Sequence, residues 1–114
     1  MLTVNALRAL GADVEDCLKR CLNNEAFYLR MVDKAVTELH TDDLKTALAA
    51  GDLDKAFEHC HAMKGVLANL SLTQALKPVS EMTELLRAHT ACDYTSYVEN
   101  LEKQLQLLRD ARNN

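Results

Sequence analysis

Residues 53–70 read LDKAFEHCHAMKGVLANL, and their apolar side chains recur at helical spacing. At about 100° per residue, one face of such a helix collects Leu53, Ala56, Cys60, Met63, Leu67 and Leu70. His61 lies about 140° from the centre of that face, on the water side, and Lys64 lies about 80° from it, one turn further along. The stretch therefore predicts an amphipathic helix that buries one stripe and presents a histidine to solvent.

The surroundings of His61 on this helix are poor in side-chain atoms. Its neighbours on the outer side are Gly65 and Ala68, whereas His59 on the opposite shoulder is crowded by longer or branched side chains. A lone histidine on an amphipathic helix is usually only solvated. A glycine inside a helix, however, costs about 0.5–1 kcal/mol relative to alanine. Gly65 therefore indicates either tight helix packing or the close approach of a partner's backbone.

The residues that follow His61 carry a family resemblance. His61-Ala62-Met63-Lys64-Gly65, with Leu67-Ala68-Asn69-Leu70 after it, resembles the signature of histidine-containing phosphotransfer (HPt) domains, H-x-[Leu/Met]-K-G-x-x-x-N-[Leu/Ile]-G. Upstream, Leu44, Ala47, Gly51 and Asp52 resemble the short helix and Gly-Asp turn that lead into the family's histidine helix, and residues 24–30 are similar to the start of an earlier family helix. Ser71 stands where the family usually has glycine, and since a small residue is kept there we expect little effect.

The resemblance implies a phosphoryl carrier rather than a stand-alone enzyme. His61 would accept a phosphoryl group on its outward nitrogen, Nε2, and Lys64 would offer its ammonium group to the phosphoryl oxygens. Gly65, Ala68 and Ser71 would lie at the surface that contacts the partner. The implied partners are response-regulator receiver domains and hybrid sensor kinases. The receiver would supply Mg²⁺, so we expect no cofactor or metal on this chain.

The composition predicts a single all-α domain over residues 1–114. The chain has only three glycines and one proline and is rich in helix-forming residues. Helix starts are predicted behind Asp13, Asn24, Thr41 and Asp52, and behind Asp93 or Thr95. Four longer helices with short connections favour an up-and-down antiparallel four-helix bundle, with short helices near the N-terminus.

The helix that contains Pro78 has two possible starts. A helix starting near Thr73 would be kinked by Pro78, whereas a start near Lys77 would place that proline harmlessly in the first turn. Arg109 and Arg112 lie near the end of the last helix, where their charge suits its dipole.

Composition also bears on location and partners. A net charge of −4 argues against nucleic acid as the main partner. No apolar run approaches the roughly 18 residues needed to span a membrane, and there is no signal-peptide pattern, so we expect a cytoplasmic location without membrane contact. Four cysteines in a chain with this much apolar material fit a reducing compartment. One-to-one docking of a receiver requires only a monomer.

Two other classes of protein compete with the phosphorelay hypothesis. The first is an adaptor bundle that docks receiver domains without phosphotransfer; such a protein should lack the nucleophile or the lysine, and both His61 and Lys64 are present. The second is a metal or cofactor bundle, which needs two inward Glu-x-x-His pairs. Glu58 and His61 supply only one, and consecutive His59, Cys60 and His61 point about 100° apart on a helix, too divergent to bind one ion.

Overall fold

Seven α-helices and no strand make up the chain in a computed structural model that describes all 114 residues. The helices are α1 (Val4–Ala9), α2 (Val14–Arg20), α3 (Glu25–Glu38), α4 (Asp42–Ala49), α5 (Leu53–Asn69), α6 (Thr73–Arg87) and α7 (Thr95–Asn113). The predicted all-α class is therefore confirmed.

Side-chain caps begin three of these helices where the sequence predicts them. The carboxylates of Asp13 and Asp52 and the amide oxygen of Asn24 each accept a hydrogen bond from the backbone N–H three residues later. Such a bond satisfies one of the donors that the first turn of a helix leaves free. At α7 the Asp93 carboxylate accepts from the backbone N–H of Thr95 at 2.9 Å, so the acidic residue supplies the bond just ahead of the helix.

The start of α6 decides the position of Pro78. The helix begins at Thr73 and continues to Arg87, so the proline lies inside it and is itself buried. Proline has no backbone N–H, and one hydrogen bond of the second turn is therefore missing. The alternative start near Lys77 is wrong.

The core is one cluster of 25 buried apolar residues to which all seven helices contribute. The predicted stripe of α5 supplies Ala56, Cys60, Met63 and Leu67, with Leu70 just beyond the helix, whereas Leu53 is only half-buried. α5 packs most extensively against α6 and also against α4, while α6 contacts α7 and α7 contacts α3. None of the seven helices is both long and apolar enough to cross a membrane.

Two arginines near the end of α7 bind to α3 and to the residue that follows it. Arg109 donates to the backbone carbonyls of Val36 and Leu39, and Arg112 pairs with the carboxylate of Asp33. The carbonyls at a helix C-terminus lack partners within their own helix. The two arginines therefore also stabilise a neighbouring helix, a contact that the dipole argument from the sequence does not include; Arg112 lies in the last turn of α7, as predicted.

Candidate functional site

His61 lies on the exposed side of α5, opposite the buried stripe. Gly65 and Ala68, one and two turns further along the same side, are exposed as well. His59 is half-buried on another side of the helix. The predicted orientation of the two histidines is therefore correct, and His61 is the more accessible.

The space above Gly65 is open. A Cβ atom built on this residue meets no heavy atom within 4 Å, leaving aside the helix's own neighbouring backbone. Of the two explanations that the sequence leaves for this glycine, packing against another helix of the same chain is thus excluded. The other explanation, clearance for a partner that approaches His61 from outside, stays a prediction.

An aromatic ring supports the imidazole from the preceding turn. The rings of Phe57 and His61 stack with their centroids 5.5 Å apart and their planes 25° from parallel. The guanidinium carbon of Arg87, on α6, lies 5.0 Å from the centroid of the Phe57 ring, within the range of a cation–π interaction. Phe57 therefore links the imidazole of α5 to a cation of α6.

The Lys64 ammonium group is paired with a carboxylate of α6. Its Nζ atom lies 3.6 Å from Oε1 of Glu84, while Nε of Arg87 lies 3.4 Å from Oε2 of the same carboxylate. Glu84 thus bridges two cations, one on each helix. Its side chain is 61% exposed, so water and salt reach the cluster.

Three residues around His61 were not predicted from the sequence: Phe57, Glu84 and Arg87. Phe57 stands four residues before His61, and residues at that spacing are neighbours on a helix, so the sequence did contain a signal for it. Glu84 and Arg87 lie on another helix. Their proximity follows from the antiparallel pairing in which Phe57 faces Arg87 and Lys64 faces Glu84.

Ser71 has a different environment from the exposed residues near His61. It is only 5% exposed and adopts a left-handed backbone conformation, with φ 55°, immediately after the end of α5. Its hydroxyl donates to the carboxylate of Asp16 at 2.9 Å and accepts from the Arg20 guanidinium at 2.7 Å. Glycine takes this conformation without steric cost, which explains the family's preference there. In this chain the residue is serine, and its hydroxyl binds side chains of α2. The expectation that Ser71 lies at the exposed surface beside Gly65 and Ala68 is therefore wrong, because its side chain is buried.

No group of three or more His, Cys, Asp or Glu side chains is arranged to hold a metal ion. The cysteine thiols in the core are poor nucleophiles, because burial raises the pKa of Cys60 to about 12 and that of Cys17 to about 11. His61, by contrast, is an exposed imidazole with the cation Lys64 three residues further along the same helix.

A comparison with known protein families finds a match, which covers most of the chain. The family model described as Hpt domain matches residues 28–111, which include α5 with His61, Lys64 and Gly65 and the partner helix α6. No curated protein and no solved structure matches the chain significantly.

Proposed function

Because the chain belongs to the Hpt domain family, whose members work in histidine phosphotransfer of two-component signalling, we propose that His61 accepts a phosphoryl group from the aspartate of a receiver domain and passes it to another receiver. The observation that carries the proposal is the exposed His61 beside the open space over Gly65. Any donor must bring a phosphorylated aspartate within bonding distance of the imidazole, and a side chain at this position would obstruct that approach.

The proposed transfer exchanges one bond to phosphorus for another. The lone pair of the neutral His61 imidazole attacks the phosphorus of the receiver's aspartyl phosphate. As the nitrogen–phosphorus bond forms, the bond from phosphorus to the aspartyl oxygen breaks, and the aspartate leaves as a carboxylate. The other ring nitrogen keeps its N–H, so the ring carries the positive charge that balances the step. Transfer to the next receiver is the reverse reaction with a different aspartate.

This chain would supply alignment and charge, the two main requirements of phosphoryl transfer. Phe57 limits the rotation of the imidazole through its stacking contact, and Lys64 lies one turn away with an ammonium group for the phosphoryl oxygens. Gly65 and Ala68 would form the smooth surface under the receiver. Ser71, buried behind them, would hold the end of α5 rather than touch the partner. Mg²⁺ would come with the receiver, and the chain would carry the phosphoryl group without being a stand-alone catalyst.

We propose that α3, α5, α6 and α7 form the up-and-down antiparallel four-helix bundle and that residues 1–114 act as one domain, since helices outside the matched region contribute to the same core. The partners would be response-regulator receivers and hybrid sensor kinases, met by a monomer in the cytoplasm.

A phosphotransfer assay tests the proposal. The protein is mixed with phosphorylated receiver domains, and label on wild type, His61→Gln and His59→Gln is followed on a Phos-tag gel. We expect label that is stable in base and labile in acid on wild type and on His59→Gln, and none on His61→Gln. His59 is the matched control because it lies two residues away on the same helix. Failure of the folded wild type to take label from several receivers would refute the proposal and favour a docking adaptor.

A further inference from the structure

We propose that Glu84 competes with the phosphoryl group on His61 for Lys64 and Arg87, and thereby lowers the fraction of His61 that stays phosphorylated. The inference rests on the proposed function, which assigns His61 but gives no role to any residue of α6. A carboxylate at this position would make phosphorylated His61 less stable. It would therefore shift the equilibrium toward the phosphorylated receiver.

In the unphosphorylated site, the carboxylate of Glu84 is already paired with the two cations that the phosphoryl group would need. A neutral imidazole offers no charge to Lys64, and the nearest anion is Glu84, whose two oxygens lie 3.6 Å from Nζ of Lys64 and 3.4 Å from Nε of Arg87. These separations exceed the roughly 2.7–2.9 Å of a strong charge-assisted hydrogen bond. The side chains are also partly exposed, at 35% for Lys64 and 52% for Arg87. Both contacts are therefore weak enough to exchange.

Phosphorylation changes the balance of charge around these cations. The phosphoryl group that arrives on His61 carries about two negative charges at neutral pH, and the positive ring formed in the transfer offsets about one of them, so the site becomes more negative overall. Lys64 and Arg87 then face two anions instead of one, and the phosphoryl group and Glu84 repel each other. Removing the charge of Glu84 leaves both cations to the phosphoryl group, so the phosphorylated form gains relative to the free form.

Two other roles for Glu84 predict different changes in the phosphorylated fraction. If the carboxylate served to hold Lys64 in the position that stabilises the phosphoryl group, its loss would lower the phosphorylated fraction. If it acted only on the stability of the α5–α6 pair, the phosphorylated fraction of folded protein would not change.

The experiment measures the equilibrium ratio of phosphorylated carrier to phosphorylated receiver on a Phos-tag gel for wild type and Glu84→Gln. Glu81→Gln is the matched control, since Glu81 is an exposed acid on the same helix without a cation partner. Exposed ion pairs are worth up to about 1 kcal/mol, so we expect Glu84→Gln to raise the ratio by about two- to fivefold. The increase should shrink at high salt. It should also be smaller in a Lys64→Gln/Arg87→Gln background, where competition for the cations is lost and only the direct repulsion between Glu84 and the phosphoryl group remains.

The outcomes separate this inference from the function on which it rests. An unchanged or lowered ratio in Glu84→Gln, or an equal rise in Glu81→Gln, would overturn the competition while leaving His61 as the carrier. A wild type that takes no label would overturn both proposals.

Discussion

Replacing Gly65 by alanine should make the fold more stable but slow phosphotransfer from a receiver. Gly65 lies inside the 17-residue helix α5, four residues before its end, and a Cβ at this position meets no heavy atom within 4 Å. The substitution therefore brings the full gain in helix propensity without a steric cost. We expect Gly65→Ala to raise the free energy of unfolding by about 0.5–1 kcal/mol, and the midpoint of thermal unfolding by roughly 2–6 °C.

The same methyl group should hinder the receiver. Transfer from a phosphorylated receiver to Gly65→Ala should be slower than to wild type, whereas phosphorylation by a small chemical donor such as phosphoramidate should be unchanged, because the donor needs no clearance over the helix. Urea denaturation followed by circular dichroism measures the first effect and labelling kinetics the second. Ala62→Gly, at an exposed position of the same helix, is the control and should lose a similar amount of stability.

Stability and phosphotransfer of Gly65→Ala are tested separately. A Gly65→Ala variant less stable than wild type would mean that the space above the helix is filled. A stabilised variant that accepts phosphoryl groups from receivers at the wild-type rate would mean that the open space serves no docking partner.

Ser71, Phe57 and Cys60 each allow a further test. Ser71→Gly should be more stable than Ser71→Ala by about 1 kcal/mol in urea denaturation, because both lose the hydroxyl bonds but only glycine avoids the cost of the left-handed conformation; equal stabilities would argue against that cost. Phe57→Leu should slow phosphorylation of His61 by phosphoramidate roughly two- to tenfold while leaving the helix content unchanged, since it keeps the apolar volume and loses ring stacking; a wild-type rate would show that stacking does not orient the imidazole. Burial raises the pKa of Cys60 to about 12, so the folded state holds its proton above pH 9 while the unfolded state releases it. Stability should therefore be full below about pH 9 and fall as the pH rises toward 12. Cys60→Ala should flatten that fall in denaturation curves measured from pH 8 to 10, and an unaltered slope would assign it to other groups.

Much of the fold and the orientation of His61 can be predicted from local sequence. Helical periodicity separates the buried stripe of α5 from the side that carries His61, because a residue's direction on a helix depends only on its position along that helix. Asp13, Asn24 and Asp52 are found as caps for the same reason, since the bond is made to a backbone N–H three residues away. Where two helix starts compete, as around Pro78, the local signals do not choose between them.

The charges around His61 were decided by the packing of one helix on another. Lys64 is placed by its own helix, but its pairing with Glu84, and the position of Arg87 over Phe57, require the register in which α5 and α6 pack. Arg109 likewise binds backbone carbonyls at the end of α3, which its position in α7 does not reveal. Such contacts join residues far apart in the chain. A helical pattern shows which side of a helix is buried, but it does not show which residue of another helix lies opposite. Local periodicity and capping residues are thus enough to place most of the helices, three side-chain caps and the outward histidine, whereas the charges around His61 depend on the register of α5 against α6.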